Sequence, residues 1–460
     1  MNKRTNLYQT LTLILTLALP TMLEQLMQTA VQYIDTAMVG TLGTSATAAV
    51  GSTVTINWLV NSTVSALGIG FLAFVSRALG ANDVKGARRI TAQAVFSTVV
   101  IGTFFTIATL LLSPVVPTLM QVDKAIKDTA ALYFFIIYLP MLPRSATIIF
   151  GTLLRSAGDS KTPMKIGIAV NLINVLLNFF LIFPSRHYGA IFIPGADLGV
   201  TGAAIASSIS FTFGGFYITY KLFTHQKISP VGEKFLPDKS ILSPCLSVAF
   251  PNMLQRFGTS LGYVAFAGMV NSLGEVATAA HTIANTVESA FYIPAYGMQT
   301  AAATLSGNAL GEGNPKKMKD VGIVINIIEV VLMIISGALL FTFAPKMVML
   351  FSKENDVIRL GSTVLRMVAL SEPFYGVSII IEGILQGVGE TKIPLAFNIT
   401  GMWGVRIVGT FICTQLFSMS LVSAWACMIG HNMLLFVLFT FYYRKGSWNP
   451  LEKGNKKWHR

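Results

Sequence analysis

Asp35 stands inside an apolar run from Leu11 to Val39 that gives its carboxylate no aqueous surroundings. Asn171, Asn174 and Asn178 occupy a second such run, at spacings of three and four that put three amides on one face of a helix. A charged group at a helix centre in hydrocarbon costs roughly 2.5–3.5 kcal/mol on insertion scales, so its presence marks a function that needs it. A carboxylate beside amide oxygens suits a hard monovalent cation, and a carboxylate taken out of water suits a proton. Asp35 lies five residues before Gly40, and Asn178 five before Phe183. At 1.5 Å per residue each is about 7 Å below its helix end, at similar depth. The asparagines have a second reading, as hydrogen-bonding glue between helices.

A second set of charges sits farther along. Arg256, Glu288 and Glu372 fall near the middle of their own apolar runs. Either Arg256 forms a buried ion pair with one of the acids, since an unpaired charge there is untenable, or Glu288 or Glu372 faces a cleft and attracts cations. Glu24, Arg144, Arg366, Glu382 and Arg406 are also intramembrane or near it and resist ranking. No His/Cys/Asp cluster has catalytic or metal-ligating spacing, and no phosphate-binding loop appears, so enzyme chemistry and ATP drive are not expected. The three cysteines, Cys245, Cys413 and Cys427, lie unpaired in apolar segments.

The elements that must hold these side chains follow from composition. Of 460 residues, 53% are hydrophobic and 12% charged, against roughly 25% charged in soluble domains. Apolar blocks of about twenty residues without period-2 alternation cross a bilayer as helices. Reading between Gly, Pro and charge clusters gives twelve spans: 11–39, 46–75, 90–113, 129–153, 164–184, 198–222, 241–271, 276–305, 321–344, 358–385, 393–417 and 420–443. Pro20, Pro140 and Pro251 allow kinks. The first span is too long for a cleavable signal peptide. The connecting segments sort by charge: 76–90 carries net +3, 155–165 net +2 and the tail 444–460 net +5, while 40–45 and 114–128 carry none. Excess Lys and Arg stays inside, which predicts cytoplasmic termini, an inner-membrane location and no nucleic-acid role for the net charge of +13.

The chain also repeats itself at a constant offset of 231 in the numbering. Ala78-Leu79-Gly80 recurs as Ala309-Leu310-Gly311, and Gly158-Asp159-Ser160-Lys161-Thr162-Pro163 as Gly389-Glu390-Thr391-Lys392-Ile393-Pro394. Pro20 recurs as Pro251, and Ser113-Pro114 aligns with Ala344-Pro345. Six spans per half return the chain to its starting side, so the halves share an orientation and a pseudo-twofold along the membrane normal, as in alternating-access transporters. The expected fold is an all-α membrane protein: lobes at 1–225 and 241–443, a cytoplasmic linker at 226–240 and a basic cytoplasmic tail at 444–460. At the same offset Asp35, Asn174 and Asn178 become Phe266, Val405 and Gly409, so the polar cluster belongs to the first half alone.

These segments resemble the multidrug and toxic compound extrusion family. The likeness runs from Pro20 to about Tyr443 and rests on Val31–Gly40, Ala78–Asp83, Leu154–Pro163, Ala279-Ala280-His281 and Gly307–Asn314. It implies a two-lobed antiporter, working as a monomer in membrane lipid, that exports organic, often cationic, compounds against Na⁺ or H⁺ without a cofactor. It further implies that Asp35 matches the family's first-helix aspartate and that Asn174 and Asn178 match its fifth-helix polar pair. Some relatives carry an acid at the Asn178 position, which leaves Na⁺ or H⁺ open here. Glu372 is about one turn out of register with the family's tenth-helix acid. A lipid-linked flippase of the same superfamily is the alternative, although it would want a cationic cleft. Nineteen methionines and 11% aromatic residues would suit a cleft for flat cations.

Overall fold

The first helix, α1 (Lys3–Gly40), runs unbroken through Pro20, and α2 (Thr44–Gly80) follows after a short turn. The structure, a computed structural model, describes residues 3–119, 124–188 and 191–452. The basic tail beyond residue 452 lies outside the described residues. Next come α3 (Val84–Leu112), the single turn α4 (Val116–Leu119), α5 (Lys127–Tyr138), α6 (Met141–Ser156) and α7 (Lys161–Leu181). A hairpin of β1 (Pro184–Tyr188) and β2 (Ile191–Ala196), antiparallel with a bulge near Pro184, leads into α8 (Gly199–Phe223). The twelve-span reading did not anticipate these strands, because they lie between spans and are too short to register in a hydropathy pattern.

The second half holds α9 (Lys239–Asn271), α10 (Glu275–Phe291), α11 (Ile293–Gly311), α12 (Pro315–Met349), α13 (Asn355–Ala369) and α14 (Glu372–Val388). It ends with α15 (Lys392–Leu416), which carries π-helical stretches at Thr400–Ile407 and Ile412–Leu416, and α16 (Leu421–Arg444). Among the described residues eight helices are long and apolar enough to span a membrane, or ten if each of two bent pairs is one span. The remaining two predicted spans are occupied by α9 and by α10 with α11.

The two bent pairs obey the repeat. α5 and α6 meet at 49°, and α13 and α14 at 55°. α6 begins at Met141 and α14 at Glu372, which the repeat offset places at equivalent positions. Pro140 sits at the first break, and Pro373 opens the helix after the second, where a missing N–H does no harm.

By contacts the chain divides into two compact units, residues 23–71 with 84–244, and residues 1–22 and 72–83 with 245–460. In the latter, Ile14, Leu17, Met298, Leu305, Ile325, Ile384 and Phe439 form one core, and Phe266, Val287, Leu340, Leu365 and Trp425 another. The end of α2 crosses the end of α11 backbone to backbone. A Cβ on Gly80 would strike the Asn308 carbonyl, and one on Gly311 the Arg77 carbonyl. Arg77 and Asn308 are themselves equivalent under the repeat, so its two halves contact one another reciprocally at this crossing. The repeated Ala-Leu-Gly triplet is there because only glycine admits that approach.

In the other unit the segment after α8 is tied to α3. Gln93 Nε2 donates to the Lys234 and Leu236 carbonyls at 3.3 and 2.9 Å, and its Oε1 accepts from Asp238 N at 2.9 Å. The Ser240 hydroxyl and backbone N–H bond Asp238 and hold its carboxyl below the ordinary range.

Candidate functional site

Asp35 and Asn178 meet: Asn178 Nδ2 donates to Asp35 Oδ1 at 2.6 Å across α1 and α7. Asn174 brings its amide within 2.9 Å of both carboxylate oxygens. A carboxylate only accepts, so the Asn174 nitrogen must face it, and its oxygen then takes the Ser207 hydroxyl at 3.1 Å on α8. Asn174 and Asn178 are buried, whereas Asn171, two turns earlier, does not reach the cluster and its Nδ2 has no partner. Two amides therefore clasp one acid between three helices. Asn178 Oδ1 is buried and unpaired. Turning an amide would present carbonyl oxygens to a cation, and leaving it as it stands presents donors to the anion.

The expected ion pair of Arg256 is absent among the described residues. Its Nε is buried without a partner among the described residues, and Gln255, one residue before it, donates instead to a different acid, Glu382. Glu24, not ranked with the paired acids, forms the buried ion pair: Arg155 Nη2 donates to its two oxygens at 2.9 and 2.7 Å, a bidentate hold across α1 and α6. Glu288 accepts from the hydroxyl of Tyr292, the residue between α10 and α11. Glu329 is fully buried and, among the described residues, has no hydrogen-bond partner on either oxygen, and Glu372 is buried as deeply, beside Tyr292. Two other arginines within the spans, Arg144 and Arg406, rest on rings rather than acids. Arg144 lies 4.5 Å from the Phe211 centroid and Arg406 4.3 Å from that of Phe266, which spreads the charge over π faces. His281 packs edge-on between Phe266 and Trp425.

Glu329 escapes the sequence reading, and Glu382 stands unranked in it. Glu329 lies in α12 against Gly376, where a Cβ would come 3.0 Å from its Oε1. Glu382 is held by three amides: Gln255 at 2.9 Å, Gln386 at 3.0 Å and Asn398 at 3.0 Å. The repeat offset was the signal available for it, because Gln255 and Gln386 stand where Glu24 and Arg155 stand in the first half. The duplicate of Asp35, Phe266, is instead covered by Arg406, so the equivalent places carry opposite charge.

The MatE family model matches residues 20–180 and again residues 251–412, two passes whose starts are related by the repeat offset. The "Probable multidrug resistance protein NorM" of Thermotoga maritima is 27% identical over 434 residues, covering 94% of this chain and 92% of its own. The "Probable multidrug resistance protein YpnP" of Bacillus subtilis is 27% identical over 455 residues, covering 96% of each. The "Multidrug resistance protein PmpM" of Pseudomonas aeruginosa is 24% identical over 86% of this chain and 82% of its own. A solved structure described as the outward-facing conformation of a multidrug resistance MATE family transporter of the MOP superfamily superposes with a TM-score of 0.88, at 22% identity and over 96% of both chains. That likeness concerns the fold.

Proposed function

This chain belongs to the MatE family, and on that premise we propose that it is a secondary active multidrug efflux transporter, exporting organic cations by antiport with Na⁺ or H⁺. The observation that carries the coupling is the Asp35 carboxylate clasped by Asn178 and Asn174 between α1, α7 and α8. An acid in that setting changes its preferred surroundings when it takes up an ion. Ion and substrate then favour different arrangements of the same helices, and their affinities are linked. The names borne by its relatives support drug efflux. The excess of Lys and Arg in 76–90 and 155–165 supports cytoplasmic termini in an inner membrane.

The experiment is transport in proteoliposomes with Na⁺ and pH gradients imposed separately, read with a fluorescent organic cation. Export that follows one gradient and stops when it collapses is expected. Vesicles that never move the cation under either gradient would overturn the antiporter reading and turn attention to a lipid-linked substrate.

A further inference from the structure

We propose that Glu382 is a second proton-carrying carboxylate, built into the second half and separate from Asp35. The inference rests on the ion-coupled reading above for its consequence in transport, but not for its chemistry.

Side chains from α9 and α15 join one from its own helix, α14, around this acid. Gln255 Nε2 from α9 and Gln386 Nε2 from α14 donate to Oε1 at 2.9 and 3.0 Å, and Asn398 Nδ2 from α15 donates to Oε2 at 3.0 Å. All three amides are more than nine-tenths buried. No cation pairs with Glu382 among the described residues. The ionisable groups near enough to feel its charge are Arg256 from α9, Tyr296 from α11 and Tyr375 from its own helix. α15 brings only the Asn398 amide. Glu329 of α12 faces Gly376 instead, and His431 of α16 faces Gly401.

The first half solves the same place differently. Under the repeat offset Gln255 becomes Glu24, Gln386 becomes Arg155, Glu382 becomes Gly151 and Asn398 becomes Gly167. There the acid is locked to an arginine. A Cβ on Gly167 would come 3.2 Å from Glu24 Cγ, and one on Gly151 3.5 Å from Arg155 Nη1, so the small residues leave room for the pair. A carboxylate paired with an arginine has its charge balanced. One held by neutral amides can lose it, provided an acceptor turns to meet the new O–H.

That acceptor is at hand. Gln255 Oε1 is buried and has no partner among the described residues. Reversing the amide puts this oxygen toward the protonated acid, and one polar atom of Gln255 remains unpaired before and after. A metal ion would require several amides to reverse together beside the positive charge of Arg256, so the geometry selects a proton.

The test is infrared difference spectroscopy of the purified full chain, between acid and alkaline buffer. A carboxyl C=O signal should appear on acidification, vanish in Glu382→Gln and persist in Asp35→Asn. Gln386→Arg, which rebuilds the ion pair of the first half, should keep the acid yet abolish the signal, and it carries the test if Glu382→Gln does not fold. A spectrum unchanged by both variants overturns the proposal. So does a shift of this signal by Na⁺ at fixed pH, which would make it a metal-ion site. Transport reads the premise separately: wild-type export indifferent to every ion gradient would defeat the antiporter reading and leave the infrared result standing.

Discussion

A carboxylate in an apolar span is defined by what bonds it, and this chain holds its acids in four ways. Asp35 meets amides, Glu24 meets an arginine, Glu288 meets a tyrosine hydroxyl and, among the described residues, Glu329 meets no hydrogen-bond donor. The variants of each should differ accordingly. Asp35→Asn keeps size and most hydrogen bonding but removes the charge. It should insert and fold normally and lose gradient-driven export in proteoliposomes, and wild-type rates with unchanged ion dependence would refute the coupling role. Arg155→Gln strands the Glu24 carboxylate, a loss of about 3–5 kcal/mol for breaking a buried pair. Its folded yield and melting temperature should fall clearly. Glu24→Gln combined with Arg155→Gln reproduces the amides found at the equivalent places of the second half. The pair should recover much of that stability, measured by thermal melting of the detergent-solubilised protein.

At the scale of elements, the repeat is written into the helix breaks and into one crossing. The bends before Met141 and before Glu372 recur at the sequence offset because each is fixed locally, by a proline at or beside the break. The α2–α11 crossing depends on glycine, since any side chain at Gly80 or Gly311 would enter the facing backbone. Gly80→Leu and Gly311→Leu should each cost at least the roughly 1–3 kcal/mol typical of overpacking, because a carbonyl cannot move aside as a side chain can. Gly430→Ala, whose added methyl would lie 3.7 Å from Val405 Cγ1 in ordinary contact, is the control. Monodisperse protein at wild-type yield from the leucine variants would show that the crossing tolerates separation.

For the whole molecule, the charge asymmetry of the connecting segments makes a topological prediction. Single cysteines at Lys85 and Lys161, introduced after replacing Cys245, Cys413 and Cys427, should resist an impermeant thiol reagent added outside intact cells. A cysteine at Ser185 in β1, on the opposite side of the span, should react. Labelling of the first two from outside would reverse the orientation. Alternating access requires more than orientation, because ion and drug must each prefer a different arrangement of the helices. A drug-binding affinity that changes with the coupling ion, measured in the non-transporting Asp35→Asn variant and in wild type, should show that dependence in wild type alone.

The sequence by itself determined the membrane class, the internal repeat and the Asp35 cluster, and it did so for physical reasons. Hydrocarbon admits few backbone solutions, so long apolar blocks translate directly into helices. An acid in such a block is conspicuous, and amides at spacings of three and four share a face whatever surrounds the helix. The tertiary structure decided the partners. Arg256 looks in the sequence like a partner for Glu288 or Glu372, yet among the described residues it pairs with neither, and the pair that forms joins Glu24 to Arg155 across 131 positions. The repeat offset marks Gln255 and Gln386, but that they bond Glu382, together with Asn398 from a third helix, is decided by packing. Helix spacing fixes which face a residue is on, but which faces meet is a matter of packing between distant segments. A carboxylate's chemistry depends on that meeting.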